Sequence, residues 1–366
     1  MRKLYIAFIA LFFAIISLPA VFVFAGNDKD FSENENRMLQ TAPEFSLDSA
    51  LSGSFQEKLT SYISDQFPDR DTWTGLGTEV KKLVGFKDIG GAYLGNDGYY
   101  MEKLTPESIN DKNFRSNLEI VDEFAQNNAK ASVTLLLVPA TGTVMDDKLP
   151  AHAQIYDAEM LWNTAGATLK NVNVPNLYAC LRENKAEQIY YRTDHHWTWY
   201  GAYAAYRLLQ PDGAYSASPE LFSDKFLGTT YSKTLDSEAK PDKLFISPVS
   251  EDITVTADGK AIALYDMAAK SEKDKYKVFF GGNYGQVVIN GGCDNGKTLL
   301  IIKDSFANSL APFLTADYET IIMLDMRYYT GSAQRVVNEN EVDDILFVQE
   351  MSSFANDKSL VKLTFG

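Results

Sequence analysis

The residue types best suited to acid–base chemistry are concentrated in one short segment. The 366 residues include only three histidines, so any histidine chemistry must use His152, His195 or His196. Asp194 directly precedes the adjacent pair. On an extended segment Asp194 and His196 share a face, so the carboxylate can accept from one ring nitrogen of His196 and leave the other for a nucleophile. His195 is then expected to face the opposite way and to be structural.

Ser305 is the candidate nucleophile. It follows an apolar run from Thr298 to Ile302 and precedes a stretch with helical spacing. A serine on a strand-to-helix turn exposes its hydroxyl at the edge of a sheet, where backbone N–H groups can face a developing oxyanion. A serine there can equally be a helix N-cap, and Asp194 could also cap a helix while the histidines only pack. Lys303 and Asp304 are expected to form a solvated pair at the strand end.

Short apolar runs must position these side chains. They are bounded by turn residues or polar residues and separated by helical stretches, which is typical of parallel strands covered on both faces. The runs are Val133–Val138, Thr298–Ile302, Thr320–Leu324 and Ile345–Val348. Residues 210–296 carry many turn residues and alternating strands instead. The sequence therefore predicts an α/β fold with a central, mostly parallel sheet between helices, plus a β-rich insertion at about 210–296.

An apolar run from Leu4 to Ala25 follows two basic residues near the N-terminus. At about 1.5 Å per residue such a helix reaches about 33 Å, enough for a hydrocarbon core of about 30 Å. Acidic residues follow the run, which places the rest of the chain outside the cytoplasm. Residues 1–25 are predicted as a membrane anchor or a signal peptide, with a buried core helix as the third possibility. Residues 26–46 then form a polar linker and 47–366 the catalytic domain.

Charge and cysteine content exclude other classes. A net charge of -15 opposes long contact with a phosphate backbone, so nucleic acid is excluded as a partner. Cys180 and Cys293 lack the clustered spacing of a zinc site, and no metal is expected. Outside the cytoplasm the two cysteines could pair or remain separate thiols, and the sequence leaves both open.

The segment Asp194-His195-His196-Trp197 resembles the motif that names the DHHW family. That family is similar to the extracytoplasmic alginate O-acetyltransferase proteins, which are SGNH-hydrolase-like and carry an Asp-x-His-Trp motif and a later serine. Asp194 and His196 match the outer positions of that motif, His195 falls on its variable position, and Ser305 matches the serine. Further segments resemble the family at Glu35-Asn-Arg37 with Pro43, Asp65–Arg70, Leu94–Gly98 and Asp325–Tyr328.

The resemblance implies an SGNH-like sandwich in which Ser305, His196 and Asp194 work through an acyl-enzyme. It implies an O-acetyltransferase acting on a cell-surface or secreted polysaccharide, with no cofactor of its own. A membrane-bound O-acyltransferase would supply the acetyl group. The acidic charge favours a neutral or weakly charged acceptor. An acetylesterase with the same triad is one alternative, and a non-catalytic glycan-binding or assembly component is another. A metal phosphoesterase is disfavoured because too few histidines are present.

Three further residues are candidates for substrate binding. Arg327 lies in the last family segment, where it could contact substrate or form a structural ion pair. Trp197 and Tyr200 lie beside the proposed triad and could stack on sugar rings. Aromatic residues in such positions are also common in protein cores, and the sequence does not separate the two roles.

Overall fold

The computed structural model describes residues 2–32, 34 and 37–365, without the side chains of Arg2, Ile15, Ile16, Leu18, Pro19 and Ala20. Glu35 and Asn36 of the first family segment, and Glu33 of the acidic stretch, lie outside the described residues. The chain divides into two compact units. One comprises Met1–Phe86 with Ser232–Glu238, and the other comprises Lys87–Tyr231 with Ala239–Gly366.

The first unit is mainly helical. Its elements are α1 (Arg2–Ala25), β1 (Phe31–Ser32), β2 (Arg37–Met38), α2 (Leu47–Leu51), α3 (Ser54–Asp65) and α4 (Arg70–Leu83). Within the described residues, no helix has the length and apolar character needed to cross a membrane. Arg37 and Asp65, from two segments that resemble the family, form an ion pair with Nη2 and Oδ1 2.6 Å apart. The predicted linker is therefore tied to α3 by a specific contact.

The second unit contains the main sheet. Its strands are β6 (Ser132–Val138), β9 (Thr254–Ala257), β10 (Lys260–Ile262), β11 (Gln286–Asn290), β12 (Thr298–Lys303), β13 (Thr320–Leu324) and β14 (Asp344–Glu350). They lie in the order β10-β9-β11-β13-β12-β14-β6. The strands β13, β12, β14 and β6 are mutually parallel, and β11, β9 and β10 extend the sheet with antiparallel pairing. The apolar runs thus form the parallel part of the sheet.

Helices cover both faces of this sheet. In β12, Leu299 and Ile301 pack into one apolar cluster and Leu300 and Ile302 into another, as alternation along a strand requires. The helices on the first face are α8 (Leu177–Glu183), α9 (Trp199–Leu209) and α11 (Ala307–Leu314). Those on the second are α5 (Asp111–Asn127), α7 (Ala158–Thr168), α12 (Ala333–Glu339) and α13 (Met351–Asn356). Burial on both faces explains why the runs are continuously apolar.

Smaller elements complete the structure. A three-stranded sheet contains β3 (Asp88–Ile89), β4 (Ala92–Leu94) and β5 (Tyr100–Glu102), and a hairpin pairs β7 (Glu220–Phe226) with β8 (Asp242–Ile246). The short helices are α6 (Thr141–Val144) and α10 (Thr229–Ser232), and a 3-10 turn spans Lys275–Val278. The region predicted as a β-rich insertion therefore contains β7 to β11, of which β9, β10 and β11 belong to the main sheet.

Candidate active site

Two helices bring the candidate residues together. Ser305 follows β12 and precedes α11, whereas Asp194 and His196 lie just before α9. These helices pack through aromatic side chains, with the rings of Trp199 and Phe313 5.4 Å apart. The loop before α9 is thereby held over the carboxyl end of β12, the edge of an α/β sheet where ligands generally bind.

Asp194, His196 and Ser305 form one continuous chain of hydrogen bonds. The Nδ1 atom of His196 lies 2.6 Å from Oδ1 of Asp194, and its Nε2 lies 2.7 Å from Oγ of Ser305. Asp194 is 1% exposed and His196 5% exposed. With Nδ1–H donating to the carboxylate, Nε2 accepts from the serine hydroxyl. This arrangement is that of a nucleophile, its base and the group that orients the base.

The turn that carries Ser305 is fixed by Asp304. One carboxylate oxygen of Asp304 accepts from the N–H of Phe306 at 2.9 Å, and the other accepts from the N–H of Glu350 at 2.7 Å. Helix α11 is capped at Phe306 without a side-chain hydrogen bond, so the hydroxyl of Ser305 does not cap it. The N-cap alternative is therefore wrong, and the serine hydroxyl is directed to His196.

The carboxylate of Asp194 is held on both oxygens. Oδ1 accepts from the backbone N–H of His196 at 2.9 Å, in addition to the ring. Oδ2 accepts from the N–H of Thr229 at 2.8 Å and from its hydroxyl at 3.0 Å. A Cβ atom on Gly228 would overlap this carboxylate. The loop at residues 228 and 229 therefore determines where the carboxylate sits.

His196 lies between two other rings. Tyr276 stacks on it with centroids 3.9 Å apart and planes 8° apart. On its other side His195 also lies 3.9 Å away, tilted by 36°. The sequence-based prediction that His195 faces the opposite way is thus wrong. The segment 192–196 consists of consecutive bends rather than extended backbone, so neighbouring side chains do not alternate.

Burial and neighbouring charge set the protonation states of the pair. Desolvation, followed by the charge of His195, lowers the pKa of His196 to about 4, and Asp194 only partly opposes this. Desolvation opposes ionisation of Asp194, but both histidines and the hydrogen bonds it accepts hold the pKa of its carboxyl well below the ordinary value. At neutral pH the pair therefore consists of a carboxylate and a neutral imidazole, the form a general base needs. Burial of the ring is the main cause of this low pKa.

The lowered pKa of His196 predicts an unusual acid limit for activity. Neutral His196 persists until the pH falls to about 4, so kcat/KM should stay level below the usual histidine range and then fall about tenfold per pH unit. Because the unfolded histidine titrates near 6.5, the unfolded state binds more protons between about pH 6.5 and about pH 4, and stability should decrease as pH falls through that window. Ester hydrolysis and thermal unfolding measured from about pH 3 to about pH 8 test this. An activity midpoint near 6.5 in folded protein would contradict it.

Lys303 and Asp304 are both buried, so the prediction of a solvated pair is wrong. Nζ of Lys303 donates to Oδ1 of Asn308 at 2.7 Å and lies 3.9 Å from Oδ2 of Asp325. Burial lowers the pKa of Lys303 to about 8 and raises the pKa of Asp304. Arg327 donates to both oxygens of Asp325, at 2.8 and 2.6 Å. The ion pair considered for Arg327 is therefore present, and 43% of its side chain remains exposed.

The two aromatic candidates for substrate binding differ. Trp197 is fully buried, and its Nε1 donates to Oγ of Ser309 at 2.8 Å. It offers no face to a sugar ring, so its predicted role in binding is corrected to a structural one. Tyr200 is half-buried on α9, against Trp199 and Phe245. Within the described part of the chain no contact joins Tyr200 to the triad.

The side chains of Asp194, His195 and His196 are also close enough together to coordinate one metal ion, since their ligand atoms lie within 4.8 Å of one another. Both Nδ1 atoms already have hydrogen-bond partners in the protein, as do both oxygens of Asp194. The arrangement therefore suits a hydrogen-bonded triad better than metal coordination. Cys180 and Cys293 are both free thiols.

Two site residues were not found from the sequence. Thr229 and Tyr276 lie in the predicted insertion, far along the chain from the histidines, and neither is part of a motif. The hydroxyl of Tyr276 donates to Oγ of Ser309 at 3.0 Å, which ties its ring to α11. No local pattern distinguishes such residues from ordinary core residues.

Comparisons with known proteins support the fold. A crystal structure of a DHHW family protein from Eubacterium siraeum has a TM-score of 0.65 and 24% identity, covering 75% of this chain and 95% of that chain. PatB1 of Bacillus cereus, in a structure with a sulfonyl adduct, has a TM-score of 0.59 and 19% identity, covering 72% and 97%. The O-acetyltransferase domain of Pseudomonas putida AlgJ has a TM-score of 0.50 and 17% identity, covering 75% and 98%.

No functionally curated protein matches the sequence. The sequence profile of the family described as DHHW protein matches residues 75–324, which is more than half of the chain and includes Asp194, His196 and Ser305. The resemblance predicted from the motif is thereby confirmed, and the chain belongs to the DHHW family.

Proposed function

We propose that this chain is an O-acetyltransferase that transfers acetyl groups through Ser305 to hydroxyl groups of a polysaccharide outside the cytoplasm. The observation that supports this most is the unbroken hydrogen-bond chain from Asp194 through His196 to Ser305. A structural or purely sugar-binding role gives no reason to place a neutral histidine between a buried carboxylate and a serine hydroxyl. Acyl transfer requires that order.

In the first half-reaction Oγ of Ser305 attacks the carbonyl carbon of an acetyl ester, and its proton passes to Nε2 of His196. The bond between the carbonyl carbon and the leaving oxygen then breaks. His196 returns the proton to that oxygen, and the acetyl group remains on Ser305 as an ester. Asp194 orients the imidazole and stabilises the transient imidazolium.

In the second half-reaction a sugar hydroxyl gives its proton to Nε2 of His196 and attacks the acetyl carbon. The bond from Oγ of Ser305 to that carbon breaks, and the serine oxygen recovers the proton. Within the described residues the backbone N–H of Ser305 donates to no acceptor, so it is available to the oxyanion formed in each step. If a sugar hydroxyl attacks the acetyl-serine ester, the protein is a transferase, and if water attacks it, the protein is an esterase.

Two similarities support the proposal without establishing it. The AlgJ domain with a related fold is described as an O-acetyltransferase domain. The two helical layers around the sheet suit the SGNH-hydrolase-like sandwich in which such triads are expected. We further propose Arg327 as a substrate contact, because Asp325 fixes its guanidinium while part of its side chain stays exposed.

The setting of the reaction is also part of the proposal. The basic residues before the N-terminal apolar run and the acidic residues after it favour attachment to a membrane with the catalytic unit outside. Acetyl groups would then come from a membrane-bound O-acyltransferase partner. The net charge of -15 favours a neutral or weakly charged polysaccharide as acceptor.

The test is to incubate the full chain with a chromogenic acetyl ester and a neutral oligosaccharide and to measure acetylated oligosaccharide by mass spectrometry. We expect acetylated product with the unmodified protein and none with Ser305→Ala. Acetate release without acetylated oligosaccharide would favour the esterase. Neither product, from folded protein, would favour the glycan-binding or assembly role.

A further inference from the structure

His195 is placed so that it can act on substrate, not only on the fold. Its Nδ1 lies 3.8 Å from Oδ1 of Asp194, the same oxygen that lies 2.6 Å from Nδ1 of His196. The centroids of the two rings lie 3.9 Å apart, with their planes tilted by 36°. Both Nδ1 edges therefore face Asp194, and both Nε2 edges face away from it. For His196 that side is the one occupied by Oγ of Ser305.

The hydrogen bonds of Thr229 assign the protonation of His195. Its Oγ lies 3.0 Å from Oδ2 of Asp194 and 2.7 Å from Nδ1 of His195, and the hydroxyl has one proton to give. An ionised carboxylate is the stronger acceptor, so the proton goes to Asp194. Nδ1 of His195 then carries the N–H that donates to Thr229, and in the neutral imidazole Nε2 is the acceptor.

The side chain of His195 is more accessible than that of His196. Of the His195 side chain 29% is exposed, against 6% for His196. Across the described part of the chain, no hydrogen bond is made by Nε2 of His195. The site therefore presents two adjacent imidazoles, one against the nucleophile and one on a partly exposed side chain.

We propose that Nε2 of His195 accepts a hydrogen bond from a second hydroxyl of the acceptor, adjacent to the hydroxyl that His196 deprotonates. This rests on the proposed function and narrows its substrate class to vicinal diols, the arrangement found around a sugar ring. A hydroxyl stands about 2.8 Å from its acceptor, so rings 3.9 Å apart can each take one of two neighbouring hydroxyls. A monohydric alcohol has one O–H and cannot satisfy both.

The experiment compares acetyl transfer from a chromogenic acetyl ester to cyclohexanol and to the vicinal diol of cyclohexane. We expect the unmodified protein to prefer the diol about tenfold, the effect of one added hydrogen bond. His195→Asn places an amide near Nδ1, keeps the bond to Thr229 and removes the acceptor at Nε2. The ratio of diol to alcohol rates, counted per hydroxyl group, should fall to about one in this variant. His195→Gln, whose amide reaches the position of Nε2, should keep part of the preference.

His152→Asn is the matched control, since His152 is exposed and its φ of 66° suits asparagine. It should keep the full preference. An unchanged ratio in folded His195→Asn, or no preference in the unmodified protein, would overturn the inference and leave the proposed function standing. A loss of both rates in equal proportion would also overturn it, because a structural role alone would do that.

Failure of the proposed function would give a different experimental result. A protein that hydrolyses the ester but acetylates neither alcohol is not a transferase. The inference is then tested in ester hydrolysis, where the second hydroxyl belongs to the leaving alcohol and can make the same hydrogen bond to His195. The monoacetate of the diol should be cleaved about tenfold faster than cyclohexyl acetate, and His195→Asn should remove the difference. Equal rates for the two esters would overturn the inference.

Discussion

Replacing Ser305 or His196 by alanine is expected to abolish turnover, and the double variant should be no slower than either single variant. Their side chains share one hydrogen bond of 2.7 Å, and in the proposed mechanism proton and acyl transfer use the same pair of atoms. In the template of serine proteases the loss on removing either residue is about 10⁶-fold, and the losses do not add. Turnover of an acetyl ester by both single variants and the double variant measures this.

A sulfonyl fluoride gives a second readout, because it reacts much faster with an activated serine hydroxyl than with an ordinary one. The unmodified protein should gain one sulfonyl group at Ser305. In the His196→Ala variant, labelling of Ser305 should be much slower. His152→Asn, at an exposed position whose φ of 66° suits asparagine, should keep both turnover and labelling. If the losses at Ser305 and His196 multiply, or if the label appears elsewhere, the two residues are not one catalytic unit. Thermal unfolding of each variant excludes loss of fold as the cause.

The parallel part of the sheet could be predicted because its strands are buried on both faces. Such strands are continuously apolar, and the predicted runs coincide with β6, β12, β13 and β14 to within a residue or two. Strand β11 shows what could not be predicted from the sequence. Its alternating pattern predicted a strand, but its pairing with β13 depends on a partner thirty or more residues away. The sequence therefore could not show that β9, β10 and β11 belong to the main sheet.

The catalytic candidates could be found because histidine is rare in this chain and each candidate lies in a short, recognisable segment. Asp194 and His196 are two residues apart, and Ser305 follows an apolar run that predicts a buried strand. The orientation of His195 could not be predicted, because neighbouring side chains point to opposite sides only where the backbone is extended. Thr229 and Tyr276 could not be found either, because a threonine and a tyrosine are common and only the folded chain brings them to the triad.

Asp194→Asn is the second variant for which a very large loss is expected. Four donors converge on the carboxylate, namely the backbone N–H and Nδ1–H of His196 and the backbone N–H and hydroxyl of Thr229. An asparagine amide offers one acceptor oxygen, so its NH₂ must face one of these pairs. If it faces His196, the ring accepts at Nδ1 and carries its proton on Nε2, where it can no longer take the proton of Ser305.

If the NH₂ instead faces Thr229, the oxygen keeps its pairing with His196. In either case a buried backbone N–H, that of His196 or that of Thr229, is left opposite the NH₂, which costs about 1–3 kcal/mol of stability. Turnover should fall about 10⁴-fold in the first case, the loss known for the wrong imidazole tautomer. Because the loss of stability is similar in the two cases, turnover of the folded protein is the measurement that separates them. Thr229→Val provides the comparison, because it removes one donor to Oδ2 and leaves the pairing of Asp194 with His196 in place, so its loss should be far smaller. A folded Asp194→Asn protein with more than a tenth of the original turnover would show that the carboxylate does not orient the base.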